Sequence, residues 1–264
     1  MDLGLKGRRA LVGGGSRGLG RAVAEELARE GADVAIVARD AAALERTAAE
    51  IARDTGGRVV GVAADFGQAG GAADAVAAAK SALGGALDIL VTNQGGPPPG
   101  PFDAHPTEHW RSAYTLLLES VVEQVRAVLP DMKSRGWGRI ITVTSIAVKQ
   151  PNEGLILSNS LRAGVTGLAR TLANELAPHG ITVNNVMPGY TRTERLVDLA
   201  ADIAERRGIT SAEAYAEWER HIPMGRIGEP REFAALVAFL ASDRATYLTG
   251  TSIPVDGGWI RTLI

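Results

Sequence analysis

Short apolar runs alternate along the chain with longer stretches whose apolar positions recur at helical spacing. The runs at 9–14, 33–39, 58–64, 87–93, 138–145, 181–189 and 251–258 read as strands. Between the first two, Val23 and Leu27 mark a helix over 21–30 that stops at Gly31. Leu44, Ala48 and Ile51 mark a second helix, and an alanine-rich segment near 70–83 a third. One long helical pattern spans 107–134. Another starts near Ser158, continues through Val165, Leu168, Leu172 and Leu176, and ends at Pro178-His179-Gly180. A charged segment, 194–220, and an apolar one, 232–243, complete the series.

Strands that are apolar throughout, each separated by a helix, require cover on both faces and therefore a parallel sheet. Right-handed crossovers make that sheet doubly wound, with about seven strands. The expected class is α/β, a Rossmann-type arrangement, with residues 1–264 forming one domain and about 194–224 a lid. No linker, repeat or composition shift divides the chain. The Pro-rich "GGPPPGP" at 95–101 reads as a stiff loop.

Composition narrows the function classes. The net charge is −2, which supplies no positive field for nucleic acid or anionic membrane. There is no cysteine, so disulfides, zinc–thiolate sites and Cys nucleophiles are excluded. The N-terminus lacks the apolar core of a secretion signal, and no apolar run approaches a membrane span. A cytoplasmic protein is the expectation. His109, His179 and His221 show no ligand spacing, and no metal site is expected.

The first run ends in "VGGGSRGLGRAV". Gly13-x-Gly15-x-x-Gly18 matches a dinucleotide fingerprint, and Gly14-x-x-x-Gly18-x-Gly20 fits as well. Either spacing lets backbone amides and a helix N-terminus approach a pyrophosphate, with Ser16, Arg17 and Leu19 in the same loop. The second run ends in Arg39-Asp40. Arg39 favours the 2′-phosphate of NADP, with Arg17 as a second cation; Asp40 is the argument for NAD.

The chain resembles the short-chain dehydrogenase/reductase family, in its 3-oxoacyl-carrier-protein-reductase-like branch. The resemblance rests on "GGGSRGLG" (13–20), Asp65, "TNQGG" (92–96), "VTS" ending at Ser145, "NELAPHGITVNNVMPGYTRT" (174–193) and the segment 225–258. It implies a nicotinamide cofactor, a small-molecule substrate and a homotetramer or homodimer. By matching position, it implies that Gly14, Gly18 and Gly20 line the phosphates and Asp65 faces the adenine. Asn93 and Gly95 would border the ribose, and Pro188, Gly189 and Thr193 would surround the nicotinamide.

The same resemblance implies a catalytic Ser, a Tyr, a Lys four residues later and a helix Asn. Ser145 matches the Ser. The family's usual spacing of thirteen residues onward lands on Ser158 where a Tyr is expected, and Arg162 stands at the Lys position. Leu117 stands at the Asn position. An alcohol starts far above the phenol's ordinary pKa of about 10, so one cation does not make Ser158 an equivalent acid. Ser158 either hydrogen-bonds substrate or fills the vacated space. Arg162 is expected to hold ribose or an anionic substrate group. Tyr190 is the first substitute proton donor, with Glu153, His105 and Tyr114 behind it, and Arg192 or Arg195 could meet an acidic substrate. The expected function is an NAD(P)-dependent oxidoreductase on a carbonyl/alcohol pair. The alternatives are a non-catalytic NADP-binding sensor or subunit, or a lyase or cyclase on the same scaffold.

Overall fold

Seven strands form one sheet in the order β3-β2-β1-β4-β5-β6-β7, every neighbouring pair parallel. In this computed structural model, residues 1–263 are described. The strands are β1 (Arg9–Gly13), β2 (Asp33–Ala38), β3 (Val59–Ala63), β4 (Ile89–Thr92), β5 (Gly138–Val143), β6 (Ile181–Pro188) and β7 (Ser252–Val255). Each lies within the corresponding apolar run. Central strands β4 and β5 are buried along their whole length, whereas edge strand β3 is mostly not. That is the pattern of a sheet covered on both faces, and it explains why these runs do not alternate.

One face carries α1 (Gly18–Arg29), α2 (Ala41–Thr55) and α9 (Pro230–Ala241), whose Val23, Leu27, Leu44, Ile51, Phe233 and Val237 share a core with Val12, Ile36 and Val91. The other face carries α3 (Gly71–Leu83), α5 (Ser120–Arg135) and α6 (Ile156–Leu176), through Val76, Leu83, Val128, Val165, Ala169 and Leu176. Burying one Leu, Ile or Val is worth about 1.5–3 kcal/mol, so these stripes fix which helix face meets the sheet.

Two expected helices are divided. The pattern at 107–134 is α4 (Thr107–Tyr114) and α5 joined by a π-helical turn over Thr115–Glu119. The turn arises where the Ser120 amide reaches back to the Thr115 carbonyl, and Leu117 lies buried in it. One extra residue in the ladder leaves the apolar period almost intact, so the sequence does not betray it. The segment 194–220 is α7 (Glu194–Arg207) and α8 (Ser211–His221). Gly208 ends α7 in the left-handed region (φ 65°), and Thr210 starts α8 by accepting from the Glu213 amide at 3.2 Å. The first helix begins at Gly18, three residues before the expected start at 21, because the glycine loop itself enters the helix.

The chain order reverses between β1 and β4. The carboxyl ends of these two strands flank the crevice in which such sheets bind ligands. No helix among the described residues is long and apolar enough to cross a membrane.

Candidate functional site

The loop between β1 and α1 supplies one wall of the crevice. Gly20 sits so close to the loop that an added Cβ would collide with the Gly14 carbonyl oxygen and stand 2.8 Å from the Gly13 oxygen. Gly18 holds φ at +56°, which L side chains rarely adopt. The facing wall comes from β4: Asn93 Nδ2 donates to the Gly13 carbonyl at 3.0 Å, tying the two loops across the switch point. In front of Gly95, space is open for at least 4 Å. Leu19 turns inward onto the core, and the Ser16 carbonyl accepts from Thr47 Oγ1 at 3.2 Å, so these two brace the loop. The cradle fits a dinucleotide: a glycine loop opening onto a helix N-terminus that no side chain caps.

The two candidate phosphate ligands are exposed. Arg21 spends its charge on Glu50 at 2.9 Å, but Arg17 and Arg39 make no ion pair among the described residues. Asp40 is committed elsewhere: its side chain caps α2 by accepting from the Ala43 amide at 3.0 Å. That use weakens the argument for an acidic ribose partner. Asp65 folds back on its own turn, accepting from the Gly67 amide at 2.9 Å. Pro188 ends β6, the Gly189 amide bonds the Val255 carbonyl at 3.0 Å, and Thr193 stands 3.4 Å from where a Gly18 side chain would begin.

A second set of groups gathers beyond β5. Asn185 Oδ1 accepts from Thr142 and Thr144, at 3.1 and 2.8 Å, and so fixes the strand end that leads into Ser145. Ser145 Oγ accepts from the Ala147 amide at 3.1 Å. From α6, buried Arg162 donates through Nη1 to the carbonyls of Val143 (3.0 Å) and Thr144 (3.2 Å), and through Nη2 to that of Gly95 (3.2 Å). Its Nε donates to Ser158 Oγ at 3.2 Å. A guanidinium has five N–H donors. Four are spent within the protein, three of them on backbone, so the expected free grip on a ribose reduces to one remaining Nη2–H. Burial, with the charge of Arg195 nearby, lowers the Arg162 guanidinium to about 10, which leaves it cationic at neutral pH.

Ser145 and Ser158 thus each accept one hydrogen bond and keep their own proton to donate. Ser158 is better placed for this, since accepting from a cation polarises its O–H. It is also only 7% exposed, where a hydrogen bond counts for more than in water.

Tyr190 lies apart from this set. Its ring stacks on Trp218 at 4.9 Å and meets the edge of Trp259 at 6.0 Å. Burial, then Glu217, pushes its phenol up from the ordinary value. With Glu153, Trp218, His221 and Trp259 it lines a cavity of about 900 Å³ under α7 and α8, and neither Ser145 nor Ser158 is among the lining residues. His105 is buried against His109, Nδ1 to Nδ1 at 3.2 Å, and Tyr114 is half exposed on α4. Arg192 pairs with Glu229 at 3.0 Å. Asn185 and Gly96 escaped the reading of the sequence. The doubled Asn184-Asn185 in an apolar strand was the available signal for the first, because a buried amide needs partners.

The family model described as Enoyl-(Acyl carrier protein) reductase matches residues 14–260. The chain belongs to the short-chain dehydrogenase/reductase family. It is 32% identical over 258 residues to 3-oxoacyl-[acyl-carrier-protein] reductase FabG of Aquifex aeolicus, covering 98% of this chain and 99% of that one. It is 30% identical over 257 residues to NADPH-dependent reductase BacG of Bacillus subtilis, covering 97% and 99%. Among solved structures it is similar to L-sorbose reductase of Gluconobacter frateurii, complexed with NADPH and L-sorbose. That match has a TM-score of 0.94, 33% identity and full coverage of both chains.

Proposed function

We propose that the protein is an NADP-dependent reductase of a carbonyl substrate in which a polarised serine stands where the family keeps a tyrosine. The observation that carries this reading is the Arg162–Ser158–backbone cluster beside Ser145. Exposed Arg39 and Arg17 support NADP over NAD, as does the capping role of Asp40. NADPH, once bound, supplies a hydride to the carbonyl carbon. Ser145 and Ser158 donate to the carbonyl oxygen and stabilise the charge that grows there; one such donor is typically worth about 10²–10³-fold in rate. Ser158 relays to that oxygen a proton drawn from water, while Arg162 holds the hydroxyl in place. Arg162 itself moves no proton at neutral pH. The whole chain acts as one domain, with α7 and α8 as the cover of the substrate side. Its assembly as a homotetramer or homodimer, and a cytoplasmic location, follow the same family reading.

A second reading is a nucleotide sensor or subunit without turnover. It is favoured by the engagement of Arg162 with backbone carbonyls, which gives that residue a purely structural occupation. One experiment separates the two. NADPH and NADH are titrated by fluorescence, and NADPH oxidation is then followed against a panel of ketones, aldehydes and oxo acids. Saturable, substrate-dependent oxidation with tighter NADPH than NADH binding supports the reductase. Tight NADPH binding with no oxidation across the panel supports the sensor.

A further inference from the structure

The peptide Gly95-Gly96 lies between two guanidiniums. Arg162 Nη2 takes the Gly95 carbonyl from α6. Arg195, on the first turn of α7, fills the place where a Gly96 side chain would stand; a Cβ there would overlap its Nη1 and Nη2. The second glycine of "TNQGG" therefore admits Arg195 to the crevice. Neither arginine forms an ion pair among the described residues, although other cations of the chain, such as Arg192, Arg206 and Arg207, find carboxylates within 3.0 Å. Arg195 as a residue is exposed, but its guanidinium lies against the Gly96 backbone, and burial there holds it below the usual arginine value. Asp198 offsets only part of that and makes no ion pair with it. Two neighbouring cations, with no carboxylate between them, leave a local excess of positive charge at a site that hydroxyls also face. Buried unpaired charge is costly, and an anionic oxygen is what relieves it.

We propose that Arg195 and the remaining Nη2–H of Arg162 form an anion slot over Gly95-Gly96, and that the substrate is an oxo acid whose carboxylate occupies it. Nε and Nη2 lie side by side along one edge of the planar guanidinium, and Nε carries Ser158. A carboxylate on Nη2 thus places a carbonyl one or two carbons away toward the Ser158 hydroxyl, as in a 2-oxo or 3-oxo acid. This assignment of substrate class rests on the reductase reading above. The same slot chemistry would suit a diphosphate oxygen of the cofactor, and the test separates the two sources.

Oxamate, an unreactive oxo-acid mimic, oxamide, its uncharged counterpart, and inorganic pyrophosphate are titrated by calorimetry into the cofactor-free full-length protein and into Arg195→Gln. A charge-assisted hydrogen bond is worth about tenfold or more in binding. The expected result is oxamate binding about tenfold tighter than oxamide, with that preference lost in Arg195→Gln. Gly96→Ala, which displaces Arg195 without changing charge, should lose it too. Pyrophosphate binding that depends on Arg195, with oxamate no better than oxamide, would assign the slot to the cofactor and overturn the substrate proposal. So would an oxamate preference untouched by both variants. Turnover then judges the reductase reading separately: Arg195-dependent oxamate binding without oxidation of NADPH by any oxo acid would keep the slot and reject the reductase.

Discussion

The crevice has two sides, one made by backbone and the other by side chains. Around β1 and β4, the geometry is dictated by backbone: amides, carbonyls and the absence of Cβ atoms, with Asn93 tying the two loops together. Beyond β5, the site is built from side chains, and it is equally well ordered, with four hydrogen bonds converging on Arg162. Backbone-made recognition tolerates little change, because any side chain intrudes. Side-chain-made chemistry can be exchanged if the replacement satisfies the same buried polar groups.

That contrast can be attacked from both sides. Gly20→Val should act most severely, since its side chain would strike the Gly14 carbonyl; NADPH affinity should fall by at least about 100-fold in a fluorescence titration, as a lost close approach leaves no route to the pyrophosphate. Retained affinity would mean the loop is not the phosphate cradle. Arg162→Met should cost about 3 kcal/mol in urea unfolding, because it strips three carbonyls and a hydroxyl of their donor. Arg162→Lys should recover only part, one ammonium being unable to span the same fork. If Arg162→Met unfolds at the parent's urea midpoint, the clamp is not structural.

Smaller effects test the cofactor side. Arg39→Glu should weaken NADPH by about tenfold while leaving NADH nearly unchanged, because only the former carries a 2′-phosphate. Equal losses would deny Arg39 that role. Smallest is an acid effect remote from the site. Arg226 and the Glu229 amide hold the Glu232 carboxyl down to about 2. A depressed carboxyl stabilises the fold above the unfolded value near 4.5 and loses that contribution as the pH falls toward 2. The pair is solvent-exposed, so Glu232→Gln should remove less than about 1 kcal/mol at pH 7 and flatten the stability profile across that window.

Most of the sheet was legible because buried parallel strands are apolar along most of their length, and their boundaries fall close to Gly, Asp and Pro. The cofactor loop was legible for the same local reason: its function lies in spacing. Arg162 was legible as a position but not as a geometry. Whether it points to solvent, ligand or backbone depends on carbonyls supplied by β5 and by Gly95, which only the folded sheet brings to α6. Tyr190, close in sequence to Pro188 and Gly189, instead turns toward Trp218 because the aromatic cluster under α7 and α8 offers more buried area. Gly96 carried no signal until Arg195 was seen against it.

The central claim is that Ser158, held by Arg162, serves the substrate oxygen in place of a phenol. Ser158→Ala removes that hydroxyl and leaves the Arg162 contacts to backbone intact. At saturating NADPH, with whichever carbonyl substrate turns over, kcat should fall about 100-fold while NADPH affinity stays unchanged. A Ser158→Ala enzyme that turns over as fast as the parent would contradict the account.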